Sequence, residues 1–271
     1  MSSGADVAEP GIDVRYRMEG RQGGPVLVLS HAMGASMAMW DPQATTLSRD
    51  FTLLRYDHRG HGGSPVPAGP YTIGDLGQDL LQLLNRLELD RVSFCGLSLG
   101  GMVGLWVAAN APDRIDRLVL CCTAARMMRP QDYAARADQV RREGMASIAD
   151  AVIGRWFTPA FAARRPDAVA AIRAVLLSTP EQGYAGACEA LAHMDLRDDL
   201  PRITAPTLVI AAEDDQSTPP ALSQEIVGRI AGAELALIPD AAHMANVEQP
   251  EAVTDHILDH MTNGGTEYEP R

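Results

Sequence analysis

Phe94-Cys95-Gly96-Leu97-Ser98-Leu99-Gly100-Gly101 is a GxSxG pentapeptide with an apolar run before it and a helix-compatible run after it. A serine on a sharp turn between a strand and a helix must take a strained backbone conformation. The residues two places to either side, here Gly96 and Gly100, must lack bulk so that strand and helix can approach. Such a turn pushes the Ser98 hydroxyl out of the sheet as a candidate nucleophile. It also aims the Leu99 amide, at the N-terminus of the following helix, where negative charge would form on a substrate oxygen. The context agrees: Arg91 to Cys95 is β-prone, and Met102 to Ala109 is rich in helix formers before the stop signal Asn110-Ala111-Pro112.

Outward from the elbow, the chain alternates between strand and helix signals. Towards the N-terminus, after a loose start, Val14 to Met18 alternates as an edge strand and Gly20 to Gly24 turns. Pro25 to Ser30 is a short, continuously apolar run typical of a buried parallel strand. It leads directly into Ser30-His31-Ala32-Met33-Gly34. A helix starts at Met39-Trp40-Asp41-Pro42 and runs to about Ser48, and Phe51 to Tyr56 is the next strand. Asp57 to Ser64 reads DxRGHGxS, a tight turn held by glycines and local side-chain bonds. His58 and His61 within it are read as structural, since no cysteine or carboxylate lies at metal-ligand spacing. Tyr71 to Leu89 is an amphipathic helix with Leu76, Leu80, Leu83, Leu84 and Leu87 on one face.

Towards the C-terminus, Ile115 to Cys121 is a further buried strand. Residues 123–200 then lose strand signals and become rich in Ala and Arg, with helical stretches broken by Pro130, Pro159, Pro166 and Pro180. This predicts a helical cap inserted into a core made of residues 1–122 and 201–271. Strand, helix and strand resume with Pro206 to Ala212, a helix through Ile226 to Ile230, and Glu234 to Ile238. Alternating β and α with short connections predicts an α/β fold, a mostly parallel sheet with helices on both faces. The tail Gly264 to Arg271 is read as loose.

Composition narrows the function. With 271 residues, 46% of them hydrophobic, the chain can bury a full core. A formal charge of −12, from 23 basic and 35 acidic residues, argues against nucleic acid or an anionic membrane as a partner. All 23 basic residues are arginine, so a substrate carboxylate would have to be met by arginine, backbone amides or a helix end. Cys95, Cys121, Cys122 and Cys188 show no CxxC spacing and read as buried thiols of a reducing compartment. Neither a signal peptide nor a run long enough to span a bilayer is read, which predicts a cytoplasmic protein.

A serine hydroxyl needs a base to take its proton and a carboxylate to fix the base's tautomer. The strand ending at Ala212 is followed by Glu213-Asp214-Asp215, then Thr218-Pro219-Pro220; the strand ending at Ile238 is followed by Pro239-Asp240-Ala241-Ala242-His243. His243 is the candidate base. Asp215 is the preferred acid by its spacing to Thr218, with Glu213 and Asp214 as rivals. His193, His256 and His260 fall in helical segments and read as surface residues. Trp156-Phe157 in the cap is either core packing or a pocket wall.

Asp57 to Ser64, Gly96 to Gly101, Asp215 and His243 together resemble the α/β-hydrolase superfamily over essentially the whole chain. Four stretches are similar to the 3-oxoadipate enol-lactonase family: Met39 to Gln43, Phe94 to Ser98 with Gly100 to Met102, Asn110 to Ile115, and Val119 to Cys121 with Thr123 to Ala125. Cap segments Arg155 to Pro159, Gly183 to Gly186 and Met194 to Arg197, and Ala242-His243 with Asn246 to Pro250, extend the likeness. The resemblance implies a cofactor-free hydrolase with no metal, acting on a small lactone or ester as a monomer or homo-oligomer. It further implies an oxyanion hole built by the Met33 and Leu99 amides. One departure concerns substrate identity, because that family usually reads Ser-Asn-Ser-Leu-Gly where this chain has Ser30-His31-Ala32-Met33-Gly34. His31 and Ala32 are therefore expected to line the pocket with Trp156, and Arg126, Arg129 or Arg155 to meet a substrate carboxylate. Two alternatives stand beside this one: a hydrolase of another ester or natural-product lactone, and a ligand-binding homologue without turnover.

Overall fold

The computed structural model describes residues 11–262; the N-terminal start and the Gly264 to Arg271 tail lie outside them. In chain order the strands are β1 (Tyr16–Gly20), β2 (Val26–Ser30), β3 (Thr52–Tyr56), β4 (Val92–Leu97), β5 (Ile115–Cys121), β6 (Thr207–Ala212) and β7 (Glu234–Ile238). The core helices α1 (Asp41–Leu47), α2 (Ile73–Arg86) and α3 (Leu99–Asn110) come before β5. Between β5 and β6 lie α4 (Pro130–Glu143), α5 (Ala146–Trp156), α6 (Pro159–Arg164), α7 (Pro166–Ser178) and α8 (Glu181–His193). The chain then returns with α9 (Pro220–Val227), α10 (Ala245–Glu248) and α11 (Pro250–Thr262).

Among the described residues the sheet has seven strands in the order β1-β3-β2-β4-β5-β6-β7. Only β1 runs antiparallel, pairing with β3 in the register Tyr16↔Tyr56; the other pairings are parallel. Successive strand side chains point to opposite faces, and every residue of β4 and β6 is buried, so both faces of the central sheet are covered. This is the mostly parallel, helix-covered α/β architecture that the sequence predicts.

The central strands match the sequence reading closely, and the differences lie at element ends. The edge strand β1 begins at Tyr16 rather than Val14 and runs to Gly20. The first helix begins at Asp41, after a short 3-10 turn over Met37–Trp40, because Pro42 suits an opening turn. A capping box sets the start of α2: Thr72 Oγ1 accepts from the Asp75 amide at 3.0 Å, and Asp75 Oδ2 accepts from the Thr72 amide at 2.7 Å. Its expected stripe is inside at Leu76, Leu80, Leu83 and Leu84, while Leu87 is half-buried just past the last turn. Helix α9 is displaced from the expected Ile226 to Ile230, opening at Pro220 and closing at Val227. The region 123–200 contains helices and one isolated bridge, Arg126↔Asp195.

Candidate active site

The strand-turn-helix at Ser98 has the geometry that GxSxG requires. Ser98 sits at φ 56° and ψ −116°, a conformation that costs an L-residue about 1–3 kcal/mol. Surrounding bonds hold it there: its amide donates to the Cys121 carbonyl at 2.9 Å, and its carbonyl accepts from the Met102 amide at 3.0 Å and from Thr123 Oγ1 at 2.7 Å. A side chain at Gly96 would put its Cβ 2.3 Å from the Gly100 carbonyl oxygen, and one at Gly100 would put it 2.2 Å from that of Ser30. The glycines are therefore a packing requirement of the turn.

Asp215 and His243, 28 residues apart in sequence, come together at 2.8 Å between Oδ2 and Nδ1, and both are buried. Asp215 also accepts from the Ser217 amide at 2.7 Å, the Thr218 amide at 2.9 Å and Thr218 Oγ1 at 2.7 Å. Burial opposes its charge, but the His243 imidazole and the Thr218 donors outweigh that and hold the carboxyl below the usual range. Glu213 and Asp214 are exposed. The contact engages Nδ1 of the ring and leaves Nε2 without a hydrogen-bond partner among the described residues.

The loop carrying His243 is fastened to the helical region. The Met244 amide donates to the Trp156 carbonyl at 3.0 Å. Glu248, buried with no cation partner among the described residues, accepts from the Ala242 amide at 2.8 Å and from Thr158 through Oγ1 at 2.6 Å and its amide at 3.2 Å.

Ser98 and His243 line one small enclosed cavity of about 30 Å³, with Met33, Thr218, Trp156 and Val152 among its walls. Neither the Met33 nor the Leu99 N–H has a hydrogen-bond acceptor among the described residues. A larger open groove of about 680 Å³, bounded by Val66, Met145, Leu177 and Pro180, is lined by neither Ser98 nor His243. The candidate chemistry therefore belongs to the smaller space.

The cavity also holds a cation that sequence reasoning missed. Arg136 on α4 lines it with Tyr133 and Tyr184. Its guanidinium lies 4.9 Å from the Tyr133 ring centroid, and its electrostatic neighbours are Tyr184, Tyr133 and Cys188 rather than a carboxylate. The Tyr184 hydroxyl is buried beside the Arg136 guanidinium. Burial keeps both phenols neutral, with Tyr133 pushed up to about 12. Together these groups bring a cation and hydroxyl donors to the cavity that Ser98 also lines.

Of the expected substrate contacts, Trp156 lines this cavity, and His31, Ala32, Arg126, Arg129 and Arg155 are not among its lining residues. Arg126 is half-exposed and paired with Asp195 at 3.7 Å, and Arg129 pairs with Asp132 at 3.1 Å. Arg155 is exposed and lies outside the cavity lining. His31 and Ala32 are buried but do not line the cavity; they pack behind it, where the His31 ring lies 4.5 Å from that of His58. His58 and His61 are buried in the turn that Asp57 ties through the Gly63 amide at 2.9 Å and the Met37 amide at 2.8 Å. Trp156 does line the cavity, while Phe157 stacks on Phe161 at 5.5 Å. Of the remaining histidines, His193 is exposed, and half-buried His260 contacts the Pro206 carbonyl at 3.1 Å.

The profile of the alpha/beta hydrolase fold matches residues 25–250. The chain belongs to the α/β-hydrolase family and is a hydrolase of that family. Within it, the chain is 38% identical to 3-oxoadipate enol-lactonase 2 of Acinetobacter baylyi, over 89% of this chain and 90% of that one. The solved enol-lactonase of Burkholderia xenovorans superposes with a TM-score of 0.90 at 44% identity, covering 92% of this chain and 96% of that one. A Stutzerimonas stutzeri relative, provisionally named carbamate hydrolase RutD, is 33% identical over 92% of this chain and 96% of its own length. No helix among the described residues is long and apolar enough to cross a membrane.

Proposed function

We propose that this protein is a cofactor-free serine hydrolase that opens a small carboxylated lactone, of the 3-oxoadipate enol-lactone kind, through an acyl-enzyme. The observation that carries the reading is the buried Asp215–His243 pair at 2.8 Å, whose imidazole lines one cavity with Ser98 and Arg136. His243 takes the Ser98 proton as the hydroxyl attacks the lactone carbonyl. The Met33 and Leu99 amides receive the oxyanion. The acyl–oxygen bond of the ring then breaks, the enolate oxygen leaves while tethered to the acyl chain, and His243 returns the proton. Water, activated by the same imidazole, hydrolyses the acyl-enzyme, and the enol tautomerises to a ketone, which makes ring opening downhill.

Arg136, with the Tyr133 and Tyr184 hydroxyls beside it, is the group suited to the free carboxylate of such a substrate. Helices α4 to α8 act as the lid, with Trp156 as part of the water-excluding wall. A cavity of about 30 Å³ admits a water molecule or two, so the lid shifts to admit a lactone. The likeness to enol-lactonases supports this substrate class; the RutD-named relative supports a carbamate as the competing reading. Initial rates on carboxylated lactones, neutral lactones, simple esters and carbamates test the two. A clear preference for carboxylated lactones is expected. Turnover of carbamates alone would overturn the assignment, and no turnover with no labelling of Ser98 would point to a binding protein.

A further inference from the structure

The histidine that replaces the resembled family's usual asparagine stands behind the oxyanion loop, and its hydrogen bonds fix its protonation state. The His58 main-chain N–H can only donate, and it lies 3.0 Å from His31 Nε2, so Nε2 is an acceptor without a proton. The ring proton of a neutral imidazole is then on Nδ1. Nδ1 faces the Ala32 carbonyl oxygen at 2.7 Å, an acceptor, so the Nδ1–H donates to it. The same carbonyl accepts from the Ala35 amide at 3.1 Å, which fills its second lone pair. Burial lowers the basicity of His31, the Asp57 charge and the Ala32 bond working in the other direction, and this supports the neutral form.

The Ala32 carbonyl and the Met33 N–H belong to one peptide group, planar and trans, so they point in opposite directions. A carbonyl held towards the His31 ring turns the Met33 N–H away from that ring. Met33 lines the cavity with Ser98. We infer that His31 is a positioning residue, the Nδ1–H tautomer of which holds the Ala32–Met33 peptide so that the Met33 amide faces the oxyanion. This inference rests on the proposed serine mechanism. It also explains how a residue outside the cavity bears on its chemistry.

Two substitutions separate this role from packing. In His31→Asn the side-chain amide overlies Nδ1 and still donates to the Ala32 carbonyl; in His31→Gln the amide overlies Nε2, and the donor at Nδ1 is lost. With p-nitrophenyl acetate as probe, His31→Asn keeps kcat within about threefold of wild type. His31→Gln loses roughly 10–100-fold in kcat with little change in KM, below the 10²–10³ expected for removing a whole oxyanion donor. Equal kcat in the two folded variants, or a loss confined to KM, would overturn the inference. Nitrogen-15 NMR of histidine-labelled wild type provides the second measurement, independent of variant folding: a protonated Nδ1 at His31 is expected, and a protonated Nε2 refutes the role. If wild type neither hydrolyses the ester nor is labelled at Ser98, the serine mechanism itself falls, an outcome distinct from equal kcat values in an active enzyme.

Discussion

Replacing Arg136 by Gln removes the cavity cation while keeping a polar side chain of similar reach. In the structure this guanidinium faces the ring of Tyr133 and pairs with no carboxylate among the described residues, so a substrate carboxylate would be its anionic partner. A hydrogen bond to a charged group contributes about 1.5–3 kcal/mol, or roughly 10–150-fold. The loss should appear in kcat/KM for a lactone bearing a free carboxylate. A neutral lactone of the same ring size never uses the cation, so its kcat/KM should move by less than about threefold, the scale of a small packing change. The assay is steady-state hydrolysis of the matched pair by wild type and Arg136→Gln, with Arg155→Gln as an exposed control that should change neither rate. Equal losses on both lactones would assign Arg136 to packing, and a selective loss in Arg155→Gln would place the carboxylate elsewhere.

Three further outcomes are expected. Asp215→Asn should lower kcat by about 10³–10⁴, because the imidazole loses the carboxylate that fixes its tautomer; a loss under about tenfold would make Glu213 or Asp214 the acid. Glu248→Gln should put an NH₂ donor among N–H and O–H donors, cost about 1–3 kcal/mol and lower Tm by several degrees in calorimetry; an unchanged Tm would refute the strap between the His243 loop and Thr158. Stability should fall below pH 6.5, because burial keeps His31, His58 and His61 neutral in the fold, His61 being lowered to about 3. In that window the unfolded chain binds more protons, so stability rises with pH and is lost on acidification by at most about 1.4 kcal/mol per pH unit per histidine. Urea titrations at pH 7, 6 and 5 check this, His61→Gln should flatten the slope, and constant stability would contradict it.

Sheet and elbow were legible because their constraints are local and periodic. β4 is a short apolar run buried on both faces, and Gly96 and Gly100 are glycines because neighbouring backbone leaves no room for a Cβ. Asp215 and His243 were readable because each follows a late strand, and Thr218 sat at the right distance to bond the acid. Arg136 was harder to see. Among many arginines in the helical region, spacing to the elbow gives no ranking. The signal available was its position on α4: Tyr133, Arg136, Ala137 and Val140 share one stripe at helical spacing, and Ala137 and Val140 are buried. A charge on such a stripe faces inward. His31 is absent from the cavity lining for a different reason: its place in the sequence, two residues before Met33, does not say which side of the peptide its ring occupies.

The central claim is that Ser98 is a nucleophile activated by the buried Asp215–His243 pair. Mass spectrometry of the folded protein after exposure to an organophosphonate ester tests it most directly. One covalent adduct on the peptide containing Ser98 is expected, absent in Ser98→Ala and strongly slowed in His243→Ala, with turnover of the Ser98→Ala variant down by several orders of magnitude. A folded wild-type protein that takes no adduct, or a Ser98→Ala variant that keeps most of its activity, would contradict the account.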